Sequence, residues 1–217
     1  MSSLALMRWL EGSPERYDRG MRALTFGRVD RLHAAVAVAA VRTPGDAVLE
    51  IGCGTGSVTT LLLARGARVT AFDQAPEMLE QARARFAPND PVEWIERTAS
   101  EIDALPRAAF QSVVLSLCLS DMSSSERAFV LREAALRLVP GGRLVAADEV
   151  RACGLPQRML QRLWRIPQVA LAWLLVGAVS SPIPDLASEL EASGLVVRER
   201  DQWLLGTLAL AVAERPE

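Results

Sequence analysis

Val48-Leu49-Glu50-Ile51-Gly52-Cys53-Gly54-Thr55-Gly56 is the stretch that decides the fold. Three apolar residues and one acid run straight into glycines at every second position. The apolar part reads as a short buried strand, the glycines as the turn leaving it, and residues 57–64 as the following helix. Glycine lets the backbone approach a ligand, or take a positive φ that a side chain resists. Amides at the start of the next helix face that ligand. Glu50 brings two acceptor oxygens toward the same turn, an arrangement that suits an ammonium group and repels a pyrophosphate.

Dinucleotide-binding turns follow G-x-G-x-x-G, which would need glycine at position 57. That position is Ser57, and the third glycine comes one residue early, at Gly56. The stretch resembles instead motif I of the class I S-adenosylmethionine (SAM) methyltransferases, V-L-D/E-x-G-x-G-x-G, and the match is complete. A glycine-rich turn that binds nothing is the bland alternative, and the order of motifs downstream weighs against it.

Outward from this turn the chain alternates strand and helix, as a doubly wound parallel sheet does. Strands are expected at 47–51, 68–73, 91–96, 111–117 and 143–149, and helices at 56–65, 76–86 and 123–138. Leu138 to Val145 reads as helix end, tight Pro-Gly-Gly turn and fifth strand. Residues 185–193 read as a helix, and 193–197 with 204–213 as a terminal strand pair. The resemblance implies an α/β fold: a seven-stranded, Rossmann-like, mostly parallel sheet with a C-terminal antiparallel hairpin. All 217 residues are expected to form one domain. Within it, 1–44 is a helical N-terminal segment that caps the pocket, packs on the sheet edge, or both; 28–41 is its last helix. An insert occupies 151–184.

Asp73 ends an apolar strand, where open α/β sheets place ligands. An acid there can accept from both hydroxyls of a ribose; the alternative is a helix cap before Pro76. By the resemblance, Gln74 and Met78 flank an adenine, although Met78 also suits a core position. Thr98 and Ala99 fall where the family often has Asp-Ala against the adenine, with Glu101 the competing acid. Leu117 and the loop to Asp121 pass beside the methyl donor. The family often carries histidines near 120 and 121, but here they are Ser120 and Asp121. Asp121 therefore stands as a candidate proton acceptor, or as a cap for the next helix, although Ser123 and Glu126 already offer a capping box. His33, on an apolar helix, reads as packed or exposed rather than catalytic.

Upstream, Tyr17-Asp18-Arg19 and Leu24-Thr25-Phe26-Gly27 resemble a segment of the ubiquinone/menaquinone methyltransferases, in which the tyrosine lies by the cofactor. That makes Tyr17 a candidate cofactor clamp or polariser. Leu119 to Ser123 also looks like methyltransferases found beside corrinoid proteins. The cofactor set implied is thus Tyr17, Glu50, Gly52, Cys53, Gly54, Gly56, Asp73, Gln74, Met78, Thr98, Ala99 and Leu117, with Asp121 and Tyr17 as catalytic candidates. The cofactor that the resemblance implies is SAM.

Composition bounds the rest. A net charge of −2 gives no basic footprint for nucleic acid. Three well-separated cysteines, Cys53, Cys118 and Cys153, indicate neither a zinc site nor a disulfide framework. The cysteine usage points to a reducing cytosol, and the start lacks the basic region and cleavage pattern of a signal peptide, so a cytoplasmic chain, with or without membrane association, is expected. Ile166 to Val179 is nearly all apolar, but about 14 residues is short of the roughly 20 that span a bilayer. Residues 159–180 read as a lid over an apolar substrate, a helix in a membrane surface, or a buried helix. The expected partner is a small methyl acceptor that is quinone-like, lipid-like or a natural product. The rivals are a non-catalytic SAM-binding or scaffolding protein, a methyltransferase working with a corrinoid protein, and an NAD-linked dehydrogenase. The glycine spacing and the lack of a Tyr-x-x-x-Lys pair disfavour the dehydrogenase.

Overall fold

The computed structural model describes residues 27–151, 181–203 and 206–217. Tyr17 and the segment 159–180, with Trp164 and Trp173, lie outside them. The elements run α1 (Arg28–Ala40), β1 (Ala47–Ile51), α2 (Ser57–Ala64), β2 (Arg68–Asp73), α3 (Pro76–Ala84), β3 (Val92–Glu96), β4 (Phe110–Ser116), α4 (Ser124–Arg137), β5 (Leu138–Glu149), α5 (Leu186–Ala192), β6 (Val196–Trp203) and β7 (Leu208–Glu214). Short 3-10 turns follow β3 and β4, at Ala99–Ala104 and Leu119–Asp121.

The strands form one seven-stranded sheet in the order β3-β2-β1-β4-β5-β7-β6. The first five are parallel, and β7 pairs antiparallel with both β5 and β6. Parallel strands covered on both faces read as continuous apolar runs, because neither side meets water. Strand alternation sends Leu49, Ile51, Val113, Leu115 and Leu144 to one face, where Val130 and Leu131 of α4 and Leu186 and Leu190 of α5 cover them. Val48, Val69, Val114 and Val145 point the other way, against Leu32, Val36 and Ala40 of α1, Leu62 of α2 and Leu79 of α3. Helix α1 therefore packs on a sheet face rather than an edge. Arg143, buried on β5, donates from Nη1 to the α1 carbonyl of Ala39 at 2.8 Å.

Two boundaries differ from the sequence expectation. Helix α4 ends at Arg137, and Leu138 already pairs with Phe110 of β4. The Pro140-Gly141-Gly142 stretch is thus an irregularity inside β5 rather than a turn before it. Gly141 and Arg215 hold it, with Gly141 N donating to Arg215 O at 3.1 Å and Arg215 N to Gly142 O at 2.8 Å. Strand β6 continues through Arg198-Glu199-Arg200-Asp201, which reads as too polar for a strand. An edge strand faces water and tolerates charge. Here Arg198 pairs with Glu214 and Arg200 with Glu191.

Candidate functional site

A cavity of about 300 Å³ opens at the carboxyl ends of β1, β2 and β4. Its floor is the glycine turn. Gly52 N and Cys53 N both donate to Phe72 O, at 2.7 and 3.2 Å, and so tie the turn to β2. Gly52 has φ +72°, and a Cβ there would lie 2.7 Å from the Cβ of Cys118. Only glycine lets the ends of β1 and β4 approach this closely. Gly54 has φ +53° and open space where a side chain would project.

Asp73 locks the turn. Its Oδ2 accepts from Gly54 N at 2.7 Å and its Oδ1 from Ala75 N at 3.0 Å. Each carboxylate oxygen keeps a second lone pair for a ligand. The residue preceding α3 is Ala75, so Asp73 is not the helix cap.

Glu50 is 2 % exposed in a strand otherwise free of charge. Its Oε2 accepts from the Thr59 hydroxyl of α2 at 2.6 Å. Burial pushes its carboxyl up to about 8, and the charge of Asp73 adds to this against the Thr59 hydrogen bond. A cation brought against Glu50 would draw the proton off. Strand alternation places Ser116 on the same sheet face, since Glu50 pairs with Val114 of β4, two residues before Ser116. The Ser116 hydroxyl is buried, lines the cavity and has no hydrogen-bond partner among the described residues. Cys53 and Cys118 also line the cavity, and burial first, then nearby carboxylates, pushes both thiols up. They are protonated and unreactive.

The opposite wall is the loop after β4. Leu117 takes φ +57°, which a branched side chain resists. Leu119 N and Ser120 N donate to Oδ2 of the fully buried Asp148 at 2.7 and 3.1 Å. Asp121 follows at the rim, partly in solvent. Burial first, then the charges of Asp148 and Glu149, pushes its carboxyl up to about 6. The cap of α4 is Ser123, whose hydroxyl accepts from Glu126 N at 3.3 Å, which frees Asp121 from that task.

Of the residues expected from sequence, Glu50, Gly52, Cys53, Gly54, Asp73, Gln74, Met78, Ala99, Leu117 and Asp121 line this one cavity. Gly56 and Thr98 do not. Gly56 sits before α2, where a Cβ would press on the Phe86 ring at 3.0 Å. Thr98 and Glu101 cap the 3-10 turn reciprocally, with Thr98 N donating to Glu101 Oε2 at 3.0 Å. Sequence reasoning missed Val29, Asp30 and His33 of α1, together with Ser116, Arg97 and Glu126, all on the cavity wall. It also missed Thr59 and Asp148. Their available signal was the one Glu50 gave, a polar residue inside a buried apolar run.

These groups fit SAM. A buried acid and an orphan hydroxyl would suit an amino-acid end, a carboxylate with free lone pairs would suit a ribose, and Met78 with Ala99 offers an apolar wall. Residues 48–142 match the family described as a methyltransferase domain. Over that segment the chain is similar to class I SAM-dependent methyltransferases, and the residues lining its cavity fit SAM as cofactor. The relatives it resembles include demethylmenaquinone methyltransferases. It is 32% identical over 134 residues to the demethylmenaquinone methyltransferase of Tropheryma whipplei, which covers 62% of this chain and 54% of that protein. It is 29% identical to the one from Clavibacter sepedonicus, over 92% of this chain and 86% of that protein. The chain thus spans about half the length of the Tropheryma relatives it matches. A SAM-dependent methyltransferase from Mesorhizobium loti shares the fold, with a TM-score of 0.65 at 20% identity over 83% of this chain and 96% of that one. Among the described residues no helix is long and apolar enough to cross a membrane.

Proposed function

We propose that this chain methylates a small, largely apolar acceptor of quinone type that carries an ionisable hydroxyl, with Asp121 as its general base. The observation behind this reading is one cavity with two chemically different walls. One carries Glu50, Asp73 and the Ser116 hydroxyl, a polar set matched to the donor. The other carries Leu117, Met122 and Asp121, an apolar surface with a proton acceptor near neutrality. The printed names of the relatives support a quinone-type acceptor.

When bound, SAM supplies a methyl group already activated on a positively charged sulfur. The chain's task is then to hold and orient the acceptor and to exclude water, which supplies much of the rate. Asp121 takes the proton of the acceptor hydroxyl at a carboxylate oxygen, which raises electron density at the atom to be methylated. A base near 6 is ionised at neutral pH yet keeps useful proton affinity. Glu50, Asp73 and Ser116 hold the donor. Gly52 and Leu117 hold the two walls at their spacing.

The test is transfer from methyl-labelled SAM to a panel of reduced naphthoquinols and benzoquinols, with product mass as the readout. A product one methyl group heavier is expected. SAM bound by calorimetry, with no transfer to any quinol, would favour a different acceptor or a scaffolding role.

A further inference from the structure

We propose that Asp148, at the carboxyl end of β5, is the positioning residue of the acceptor wall: it fixes the loop that carries Asp121 and sets the charge that Asp121 feels. The proposal rests on the reading of Asp121 as base.

Asp148 is fully buried, and each of its backbone partners is an N–H donor. Oδ2 accepts from Leu119 N at 2.7 Å and Ser120 N at 3.1 Å, and Oδ1 accepts from Glu149 N at 2.6 Å. A carboxyl surrounded by donors accepts as a carboxylate. Burial raises the Asp148 carboxyl above its ordinary value, against the Ser120 hydroxyl and these amides, which favour its charged form. Two further bonds pin the same loop, Leu117 N to Ala147 O at 2.8 Å and Ser181 N to Ser120 O at 3.0 Å. Asp121 therefore leaves a loop clamped on both sides, one residue beyond the last amide that Asp148 holds. Removing Asp148 would leave two inward-facing amides without a partner, on a strained turn at Leu117.

Among the described residues outside the donor wall, the titratable and charged groups that share the cavity with Asp121 or act on it come from four elements and the loop. From β5 come Asp148 and Glu149, from α4 Glu126, from α1 Asp30 and His33, and from beyond β3 Arg97, with Cys118 on the loop itself. Of these, only Asp148 both touches the loop backbone and adds a buried negative charge. A like charge held nearby disfavours ionisation of Asp121, so loss of that charge lets the Asp121 proton leave at lower pH.

The test is Asp148→Asn, which keeps one carbonyl acceptor and removes the charge. The Asp121 carboxyl is followed by carbon NMR, with its signal assigned by its loss in Asp121→Asn. We expect a wild-type midpoint near 6 and a fall of roughly one pH unit in Asp148→Asn. The acid limb of kcat should move by the same amount, while the Kd for S-adenosylhomocysteine stays within about twofold. An unmoved midpoint in a folded variant overturns the proposal and leaves the base reading intact. Full turnover by Asp121→Asn overturns the base reading, and with it the kinetic half of the proposal. If Asp148→Asn does not fold, hydrogen exchange in the wild-type protein decides: protected Leu119 and Ser120 amides support the clamp, and exchange at unstructured-chain rates overturns it.

Discussion

The donor and acceptor walls of the cavity are built by different means. The donor wall is local. Nine consecutive residues supply strand, turn and acid, and Asp73 joins them through bonds to Gly54 and Ala75 across one strand pairing. The acceptor wall is assembled at a distance. Its loop takes its shape from Asp148, about thirty residues further on, and its far side from α1, before the first strand. A wall made of backbone geometry tolerates few sequences. A wall made of long-range side-chain contacts can change its acceptor without disturbing the donor.

Four substitutions sharpen or break that contrast. Asp121→Asn should have the largest effect, lowering turnover about 10²–10⁴-fold, the range for general-base catalysis. Calorimetry should show unchanged S-adenosylhomocysteine affinity; a parallel loss of affinity would merge the two walls into one. Asp73→Ala should cost about 1.5–3 kcal/mol of donor binding, the range for hydrogen bonds to a charged group. Unchanged affinity would remove Asp73 from the donor wall.

Glu50→Gln should weaken donor binding roughly tenfold, through loss of a charge-assisted contact, yet stabilise the ligand-free protein. The sign follows from its raised value. A carboxyl held up to about 8 in the fold contributes stability below its ordinary 4.5, and that stability is lost as pH rises toward 8. The variant should therefore melt higher than wild type at pH 8 and alike near pH 4. Each kcal/mol corresponds to roughly 2–4 °C in a chain of this size. Wild type should also release a proton on binding SAM near neutrality, seen as a buffer-dependent heat. Ser116→Ala should have the smallest effect, about 0.5–1.5 kcal/mol for a neutral hydrogen bond. It should appear with S-adenosylhomocysteine and vanish with methylthioadenosine, which lacks the amino-acid end.

The same contrast governs what the sequence made legible. Motif I, the apolar strands and the helix starts are local patterns, and they placed β1, β2 and their loops closely. Ten of the expected residues line one cavity because the glycine turn and Asp73 have fixed places in a parallel sheet. His33 reads as packed or exposed, because nothing near it in sequence says which end of α1 overhangs the strand ends. Asp148 directly follows the apolar run Leu144-Val145-Ala146-Ala147, and its partners are visible only once β4 and β5 are paired. Thr98 reads as a ligand contact by its position alone, where the family often has an acid, and the structure shows Glu101 joined to it in a capping box.

The sheet order carries a consequence for how the chain is made. Strand β7 is the last strand in sequence, yet it lies between β5 and β6. During synthesis β5 emerges with one long edge bare, and β6 emerges with no neighbour to pair with. Both wait for Leu208–Glu214. An apolar edge left open on the ribosome invites pairing with another nascent chain. The charges of β6 guard that strand in the interval, but Leu144 to Ala147 on β5 have no such guard. A ribosome that stalls before residue 208 would thus release six of the seven strands with the apolar edge of β5 exposed.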